Sequence, residues 1–224
     1  VYVTGFSIGN NTDFDFLTIK YNSNGDAKWI KRYNDPGNLN DYANSVLVDK
    51  SGNVIVSGTS YGCTTVKYNP SGDTLWVRHY ASSTPSMSLD DSGNVYVTGS
   101  GYSNGADFVI SKFDINGNQK WVSIFGGTGD QYPLSIAVDK SGNSYVTGPS
   151  ESYFLTVKYD NTGVLKWSNY SSQSGRASSV AVDKYGNSYV CGTNCSGDFF
   201  TVKYNSSGSL KWTKLYDGLL HGTD

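Results

Sequence analysis

Hydrophobic and polar residues alternate along this chain with a period of two, and short turn sequences interrupt the alternation at regular distances. In one stretch Leu17, Ile19 and Tyr21 alternate with polar residues, which is typical of a β-strand with two different faces. The connecting phrases, such as DKSGN and NPSG, are rich in Asn, Asp, Ser and Gly, which favour tight hairpin turns. The pattern therefore predicts an all-β chain of antiparallel strands.

The strands and turns recur as one unit of about 45 residues. Each copy has a glycine four positions before a tryptophan, and these pairs are Gly25 and Trp29, Gly72 and Trp76, Gly117 and Trp121, Gly163 and Trp167, and Gly208 and Trp212. The tryptophans are 47, 45, 46 and 45 residues apart, and a constant period of this size indicates stacked repeats. Each unit is predicted to hold four strands, A to D, which read SVLVD, NVIVSG, TTVKY and LWVRHY in the second copy.

A four-stranded meander of this length cannot cover both of its own faces. Copies in series solve this by packing sheet against sheet around an axis, as in a β-propeller. We therefore predict a single β-propeller domain over residues 1–224, built from four-stranded antiparallel blades, with another β-repeat such as a solenoid as the alternative. The five repeats are expected at 1–33, 45–80, 86–125, 135–170 and 179–216.

Two phrases, D-x-S-G-N-x-Y-V-T-G and T-V-K-Y-N-x-x-G-x-x-x-W, carry a family resemblance. The chain resembles, over essentially its whole length, the SBBP family of bacterial and archaeal β-propeller repeats. The resemblance implies the propeller fold and an exported protein, but no activity, because a fold does not determine chemistry. The G-x-x-x-W phrase also resembles the docking motif of quinoprotein dehydrogenase propellers, where such residues lock neighbouring blades, and here it implies packing.

Strand A is predicted four times, whereas strands B, C and D are predicted five times. Only 12 residues follow Trp212, which is fewer than the other copies need to complete the next strand A. We therefore expect a segment of a larger ring of about six to eight blades. Residues 217–224 would then begin the connection to a further blade of the same chain.

Composition narrows the class of partner and the compartment. The formal net charge is -2, and without clustered Lys and Arg we expect no nucleic acid partner. No run approaches the ~18 apolar residues of a membrane-spanning helix. Charged residues make up only 16% of a chain rich in Asn, Ser, Gly, Thr and Tyr, which favours an exported, extracellular or cell-surface protein.

Three cysteines leave two alternatives open. Cys63, Cys191 and Cys195 are too few for a disulfide framework and lack the paired spacing of a zinc site, so all three can be thiols. Alternatively, Cys191 and Cys195 form a local bridge where a strand end and its following loop double back, which would fit an oxidising compartment.

The two ends of the predicted blades differ in sequence variability. The A–B and C–D turns lie on one rim, here called the constant rim, and are nearly identical in all copies. The B–C and D–A connections lie on the other, the variable rim, where loops on a rigid scaffold usually carry binding. The residues expected to be exposed there and to contact a ligand are Asp13, Asp15, Asp41, Tyr42, Tyr61, Tyr102, Asp107, Asp130, Tyr132, Tyr153, Arg176 and Asp198.

Two recurring polar motifs receive structural interpretations. The DxSGN phrase resembles the start of a calcium loop, but it lacks the glycine at position six and the acid at position twelve, so Asp and Asn are expected to bond their own turn and no metal is predicted. A lysine recurs in strand C, as Lys20, Lys67, Lys112, Lys158 and Lys203. We expect the stems of these lysines to lie along apolar surface with their ammonium groups in water.

Catalytic signals are weak. The chain has only two histidines and no GxSxG or HExxH phrase, and no cofactor is predicted. The favoured function is a non-catalytic scaffold or protein-interaction module of an exported, cell-surface protein, whose partner is a protein or a glycan. A carbohydrate-binding propeller is the alternative, because exposed Tyr and Asp suit sugars. A propeller enzyme is the least favoured reading.

Overall fold

The computed structural model describes residues 1–9, 13–60, 62–80, 83–102, 106–127 and 129–217, with only the backbone for residues 83–85 and 102. In these ranges the chain forms eighteen β-strands joined by turns, and none of it is helical. No helix in this part of the chain is therefore long and apolar enough to cross a membrane.

The strands follow the repeat, and we name the groups units I to V. Unit I comprises β1 (Tyr2–Ile8), β2 (Phe14–Tyr21) and β3 (Ala27–Tyr33). Unit II comprises β4 (Tyr42–Val48), β5 (Val54–Ser60), β6 (Gly62–Tyr68) and β7 (Thr74–Tyr80). Unit III comprises β8 (Ser83–Leu89), β9 (Val95–Tyr102), β10 (Ala106–Phe113) and β11 (Gln119–Phe125). Unit IV comprises β12 (Ser135–Val138), β13 (Ser144–Ser150), β14 (Tyr153–Tyr159) and the first part of β15 (Leu165–Val182). Unit V comprises the rest of β15, then β16 (Ser188–Asn194), β17 (Phe199–Tyr204) and β18 (Leu210–Tyr216).

Every strand pairs antiparallel with the strand that follows it in the same unit. The register places the recurring strand C lysine beside the recurring tryptophan, as in Lys20 opposite Trp29 and Lys67 opposite Trp76. Units II and III are separate four-stranded sheets, whereas unit I has three strands among the described residues. The all-β fold of four-stranded antiparallel sheets is thus confirmed.

Units IV and V share one strand. Residues 165–174 of β15 pair with β14, and residues 175–182 of the same strand pair with β16. A loop was expected between strands D and A here, but the chain stays extended. The physical reason is that each part of β15 finds its own partner strand, so the backbone groups remain hydrogen-bonded through the crossing.

The hydrophobic core lies between the units rather than within one sheet. Four clusters of buried side chains fill the four joints between consecutive units. Between units I and II, Phe16 packs against Val54, Val56 and Val66. Between units III and IV, Phe108 and Ile110 pack in the same way against the neighbouring sheet. Each sheet therefore depends on its neighbours for burial, as in a propeller.

Candidate functional site

The turns of the constant rim bind their own polar side chains. In the turn after β4, Asp49 Oδ1 accepts the N–H of Ser51 and that of Asn53, both at 2.9 Å, and Oδ2 accepts Nδ2 of Asn53 at 2.8 Å. The same pattern recurs at Asp90, Asp139 and Asp183. The hydrogen bonds from Asn187 hold the pKa of Asp183 down at about 2. These contacts explain the DxSGN phrase as a turn structure.

In units I to IV, the recurring tryptophan lies on the recurring glycine of the next unit. The indole Nε1 of Trp76 donates to the carbonyl oxygen of Ile115 at 3.1 Å, and a Cβ on Gly117 would lie 2.8 Å from Cγ of Trp76. Gly117 also has a φ of +79°, a conformation that favours glycine. Equivalent contacts join Trp29 to Gly72, Trp121 to Gly163 and Trp167 to Gly208. The G-x-x-x-W phrase is therefore divided between two units, each supplying one half of a joint.

The prediction that the strand C lysines keep their ammonium groups in water is wrong for Lys67 and Lys158, which are buried. Lys67 is 1% exposed, and its Nζ lies 2.9 Å from Oδ2 of Asp49 and 3.4 Å from the carbonyl oxygen of Ile115. This carbonyl is the one that also accepts the indole of Trp76. The ammonium group is buried because a carboxylate and a carbonyl replace its water, which compensates the cost of desolvation.

The contact between lysine and carbonyl oxygen recurs at the other joints. Lys20, Lys112 and Lys158 donate to the carbonyl oxygens of the next unit at 2.9, 3.5 and 3.0 Å. The acceptors are Pro70, Asn161 and Ser206, and each also accepts the indole N–H of the preceding unit. Burial lowers the pKa of Lys158. One main-chain oxygen thus receives two hydrogen bonds at every joint.

The constant rim also holds a cavity of about 500 Å³ between units II and III. It is lined by the Lys67–Asp49 pair, by the Lys50–Asp91 pair at 2.7 Å, and by apolar residues including Leu75 and Ile115. Smaller cavities lie at the matching places between units III and IV and between units IV and V. Recurrence at successive joints marks these cavities as a product of how the units meet.

On the variable rim, three predicted ligand residues are packed away. Asp15 and Asp41 were expected to be exposed, but both are buried. Asp15 faces the guanidinium of Arg32 at 3.4 Å, and Asp41 accepts the backbone N–H of Asp35 at 2.8 Å. Asp15 is thus buried in β2 against a cation, whereas Asp41 caps nearby backbone in the connection that precedes β4. Tyr42 packs its ring against Phe6 and Phe14. These residues hold the rim together.

The remaining candidates are spread around the rim. Asp13, Asp130, Tyr132, Tyr153 and Arg176 are exposed, and Asp107 and Asp198 are half-buried. Asp130 accepts the N–H of Ala106 at 3.0 Å and the hydroxyl of Tyr132 at 3.1 Å, which ties two connections of unit III together. Tyr61 and the side chain of Tyr102 lie outside the described residues.

Several segments of units IV and V form one open groove of about 300 Å³, which we call the loop groove. Its lining residues are Tyr153, Ser172, Gln173, Ser174, Asn194, Cys195 and Ser196. The N–H of Gly175 donates to the oxygen of Ser152 at 2.6 Å, and the N–H of Cys195 donates to the oxygen of Ser174 at 3.3 Å. The backbone therefore fixes the walls of the groove relative to one another.

The groove offers the exposed phenol ring of Tyr153 beside the amide of Gln173, serine hydroxyls and one thiol. None of its lining residues is a carboxylate or an imidazole, so this set suits binding rather than acid–base chemistry. Cys191 lies in the preceding strand, and it, Cys195 and Cys63 are thiols in this structure. Within the described parts of the chain, no group of three or more His, Cys, Asp or Glu side chains is placed to hold a metal ion.

Comparison with known proteins bears on this architecture. The family model of the SBBP β-propeller repeat matches residues 120–153, which run from β11 to the start of β14. Residues 120–153 are an SBBP repeat. The match begins beside Trp121 and so includes the tryptophan of one unit and the turn of the next. No curated protein matches the sequence.

Solved structures share the fold of this chain at low sequence identity. A protein of unknown function from Bacteroides caccae is similar with a TM-score of 0.52 at 15% identity, over 96% of this chain and 94% of that chain. PorZ, described as an essential surface component of the type-IX secretion system of Porphyromonas gingivalis, is similar with a TM-score of 0.54 at 14% identity. That likeness covers 98% of this chain but 35% of PorZ. Both comparisons concern the fold.

The recurring phrases of the sequence account for the constant rim and for the joints between units. Most of the loop groove was not predicted from the sequence. Of its seven lining residues, sequence reasoning singled out Tyr153 as a ligand residue and Cys195 for its thiol chemistry. Ser172, Gln173 and Ser174 carry a faint signal, since they lie in the only strand D to strand A connection that reads as a run of Ser and Gln. The sequence of this run does not reveal that it stays extended or that it lies beside the turn at residues 194–196.

Proposed function

We propose that this chain is a non-catalytic interaction module of an exported, cell-surface protein, and that the loop groove is its ligand site. The proposal rests on the observation that the two rims use different residues for different purposes. The recurring Asp, Lys and Trp side chains are used in turns and joints, whereas the groove is built from residues outside the repeated phrases. A rigid scaffold with a site on its connections is the usual form of a binding module.

Export is supported by composition and by the comparisons. The SBBP repeat is matched within the chain, and PorZ, which has the same fold over this length, is a surface component of a secretion system. We propose a surface location for this chain by analogy. On intact source cells, an added antibody is expected to label the protein and an added protease is expected to cleave it. A protein found only after lysis would contradict the location.

Site-specific photo-crosslinking tests the groove. A photoreactive phenylalanine analogue at position 153 is expected to give one discrete crosslinked product on intact cells. The matched control is the same analogue at position 185, because Tyr185 is an exposed tyrosine in a turn on the opposite rim. Equal crosslinking from both positions, or none from position 153, would contradict a ligand site in the loop groove.

Carbohydrate binding is the second candidate, and the composition of the groove favours it specifically. The exposed ring of Tyr153 lines the groove together with the amide of Gln173 and the hydroxyls of Ser172 and Ser174, which is the chemistry that binds a sugar ring and its hydroxyls. A glycan array is expected to show a small set of related sugars bound by the wild type and lost in Tyr153→Ala and Gln173→Ala. The variant Tyr185→Ala is the control and should bind normally. A silent array removes this candidate while the protein-partner proposal stands.

A further inference from the structure

The cavities on the constant rim recur at successive joints, but they differ in charge. The cavity between units IV and V, here called the IV–V cavity, has a volume of about 250 Å³. Among the described residues, its charged lining consists of Lys140, Lys158 and Lys184 and a single carboxylate, that of Asp139. The matching cavity between units II and III is lined by two lysines and three aspartates. The IV–V cavity is therefore the more positive of the two.

The burial of the Lys158 ammonium group differs from that of Lys67. Lys158 is 7% exposed, and its Nζ donates to the carbonyl oxygen of Ser206 at 3.0 Å and lies 4.8 Å from the centre of the Tyr145 ring. Within the part of the chain that the structure describes, no carboxylate oxygen lies within 4 Å of this nitrogen, whereas Lys67 has Asp49 at 2.9 Å. Since an ammonium group has three donors, Lys158 keeps donors for a ligand in the cavity that it lines.

A tyrosine hydroxyl explains this difference. Oδ2 of Asp139 accepts the hydroxyl of Tyr145 at 3.1 Å and a side-chain amide of its own turn at 2.8 Å, and Oδ1 accepts two backbone N–H groups. Unit II has Ile55 at the position of Tyr145. Without a hydroxyl there, Oδ2 of Asp49 binds Lys67. In unit IV both oxygens of the aspartate are bonded within the unit, and the lysine has lost this partner.

Unit III has both groups and is intermediate. The hydroxyl of Tyr96 donates to Oδ2 of Asp90 at 3.3 Å, and Nζ of Lys112 lies 3.7 Å from the same oxygen. From unit II to unit IV, the lysine thus moves away from its aspartate as a tyrosine hydroxyl takes its place.

The exposed turns differ between the joints in the same direction. Between units II and III, Nζ of Lys50 lies 2.7 Å from Oδ1 of Asp91, and the two charges neutralise each other. Lys140 and Lys184 hold the same repeat positions between units IV and V, so two like charges line that cavity. Like charges on one cavity repel each other, and an anion between them replaces the repulsion by attraction.

We propose that the IV–V cavity binds a small oxyanion, the phosphate or sulfate group of a small molecule. Lys140, Lys158 and Lys184 supply the positive charge, and the hydroxyl of Ser141 lines the same cavity as a further donor. A volume of about 250 Å³ corresponds to about eight water molecules, which leaves room for the group and part of its carrier. All of these residues belong to two consecutive units whose joint is complete within the chain.

Titration with inorganic phosphate and, separately, with sulfate tests the proposal at low ionic strength, with acetate as a monoanionic control. By isothermal titration calorimetry, the wild type is expected to bind one phosphate or sulfate with a dissociation constant of about 1 mM or lower, and acetate more weakly. The tighter of the two oxyanions identifies the group. In NMR spectra the amide signals of Ser141 and Gly186 should shift, whereas those of Ser51 and Gly93 in the cavity between units II and III should not.

Matched variants of two exposed lysines locate the bound anion. Lys184→Gln should weaken phosphate binding about tenfold, as expected for the loss of a charge-assisted hydrogen bond. Lys50→Gln is the control, because Lys50 holds the same repeat position but is paired with Asp91 in another joint. The control should leave the dissociation constant unchanged.

Tyr145→Phe tests the cause of the positive charge. Without the hydroxyl, Oδ2 of Asp139 becomes free to pair with Lys158, so phosphate binding should again weaken about tenfold. The ring that lies beneath the ammonium group is kept, and an unchanged circular dichroism spectrum shows that the variant folds.

The absence of saturable binding for both oxyanions overturns the proposal. Binding that Lys50→Gln weakens as much as Lys184→Gln does, or that neither Lys184→Gln nor Tyr145→Phe weakens, also overturns it. Tyr185 borders this cavity too, but a small oxyanion is neither a neutral sugar nor a partner protein, so position 185 still serves as the control for the loop groove. These outcomes are independent of the loop groove, which lies on the variable rim.

Discussion

Trp76 and Trp212 occupy the same position in the repeat but have different surroundings. Trp76 is 7% exposed, with Gly117 beneath its ring and the Ile115 carbonyl on its indole, whereas Trp212 is 37% exposed on the outward face of unit V. The local strand pairing is the same, because Lys67 opposes Trp76 as Lys203 opposes Trp212. The difference teaches that the repeat phrase is half of an interaction, and that its contribution to stability depends on the neighbouring unit.

Replacing the tryptophan should give the largest difference in stability between the two positions. We expect Trp76→Ala to lower the free energy of unfolding by about 3–5 kcal/mol, because the joint between units II and III loses its largest ring. We expect Trp212→Ala to cost about 1 kcal/mol or less in dilute solution, as for a surface substitution. Urea denaturation followed by circular dichroism measures both. Equal losses would break the comparison.

The lysines should give the next largest difference. Lys67→Met is expected to cost about 3 kcal/mol, because it leaves the Asp49 carboxylate buried without its cation. Lys203→Met should change the free energy of unfolding by no more than about 0.5 kcal/mol.

A second substitution shows whether the orphaned charge causes the loss. Asp49→Asn in the Lys67→Met background should recover most of the stability, because an asparagine serves in the equivalent turn at Asn69, where its Oδ1 accepts the same backbone N–H groups. If the double variant is as unstable as the single one, packing rather than charge explains the loss. Chemical denaturation of the three proteins side by side decides this.

Glycine substitutions test the same comparison at the residue that lies under the tryptophan ring. Gly117 lies under the ring of Trp76, whereas among the described residues no ring lies beside Gly25. Gly117→Ala and Gly25→Ala share the strain of a positive φ, about 1–2 kcal/mol. Only Gly117→Ala also forces a Cβ against the ring of Trp76, for a further loss of about 1–3 kcal/mol. In thermal unfolding at low protein concentration, the melting temperature of Gly25→Ala should therefore be clearly higher than that of Gly117→Ala. An equal effect of the two would mean that the joint can shift to accept the methyl group.

Acidification should give the smallest effect and tests the turns themselves. Hydrogen bonds from Asn187 lower the pKa of Asp183 to about 2 in the folded chain from an ordinary value of 3.8. A lowered pKa means that the turn contributes its stability above the ordinary value and loses it as the pH falls from about 4 to about 2. A carbon-13 NMR titration should place the pKa of Asp183 near 2, and a value near 4 would show that the turn does not hold the carboxylate.

The repeat, the strands and the turns could be predicted from the sequence because they depend on local order. A period of two, a glycine in the turn and a tryptophan at constant spacing are all visible along the chain. The position of the lysine ammonium groups could not be predicted, since the carbonyl that receives Lys67 is 48 residues away, in the next unit. Asp15 and Asp41 looked like exposed acids because the alternation along the chain does not show that Arg32 and the backbone N–H of Asp35 face them.

The loop groove escaped prediction for a related reason. Tyr153 begins β14, Gln173 lies within β15 and Asn194 ends β16, and their meeting depends on the course of β15 from one sheet into the next. Hydrophobic alternation indicates that a segment is extended but does not say which partner it pairs with at each end. Candidate ligand residues therefore needed the tertiary arrangement.

The oxygen that receives both the lysine and the tryptophan belongs to the main chain, and this has a consequence for how such a chain can change over time. The residues that supply it are Pro70, Ile115, Asn161 and Ser206, which share no side-chain chemistry. Because these hydrogen bonds do not involve the side chain of the acceptor residue, that residue can be substituted without losing them. Copies of the repeat can therefore diverge, duplicate or be exchanged and still fit their neighbours.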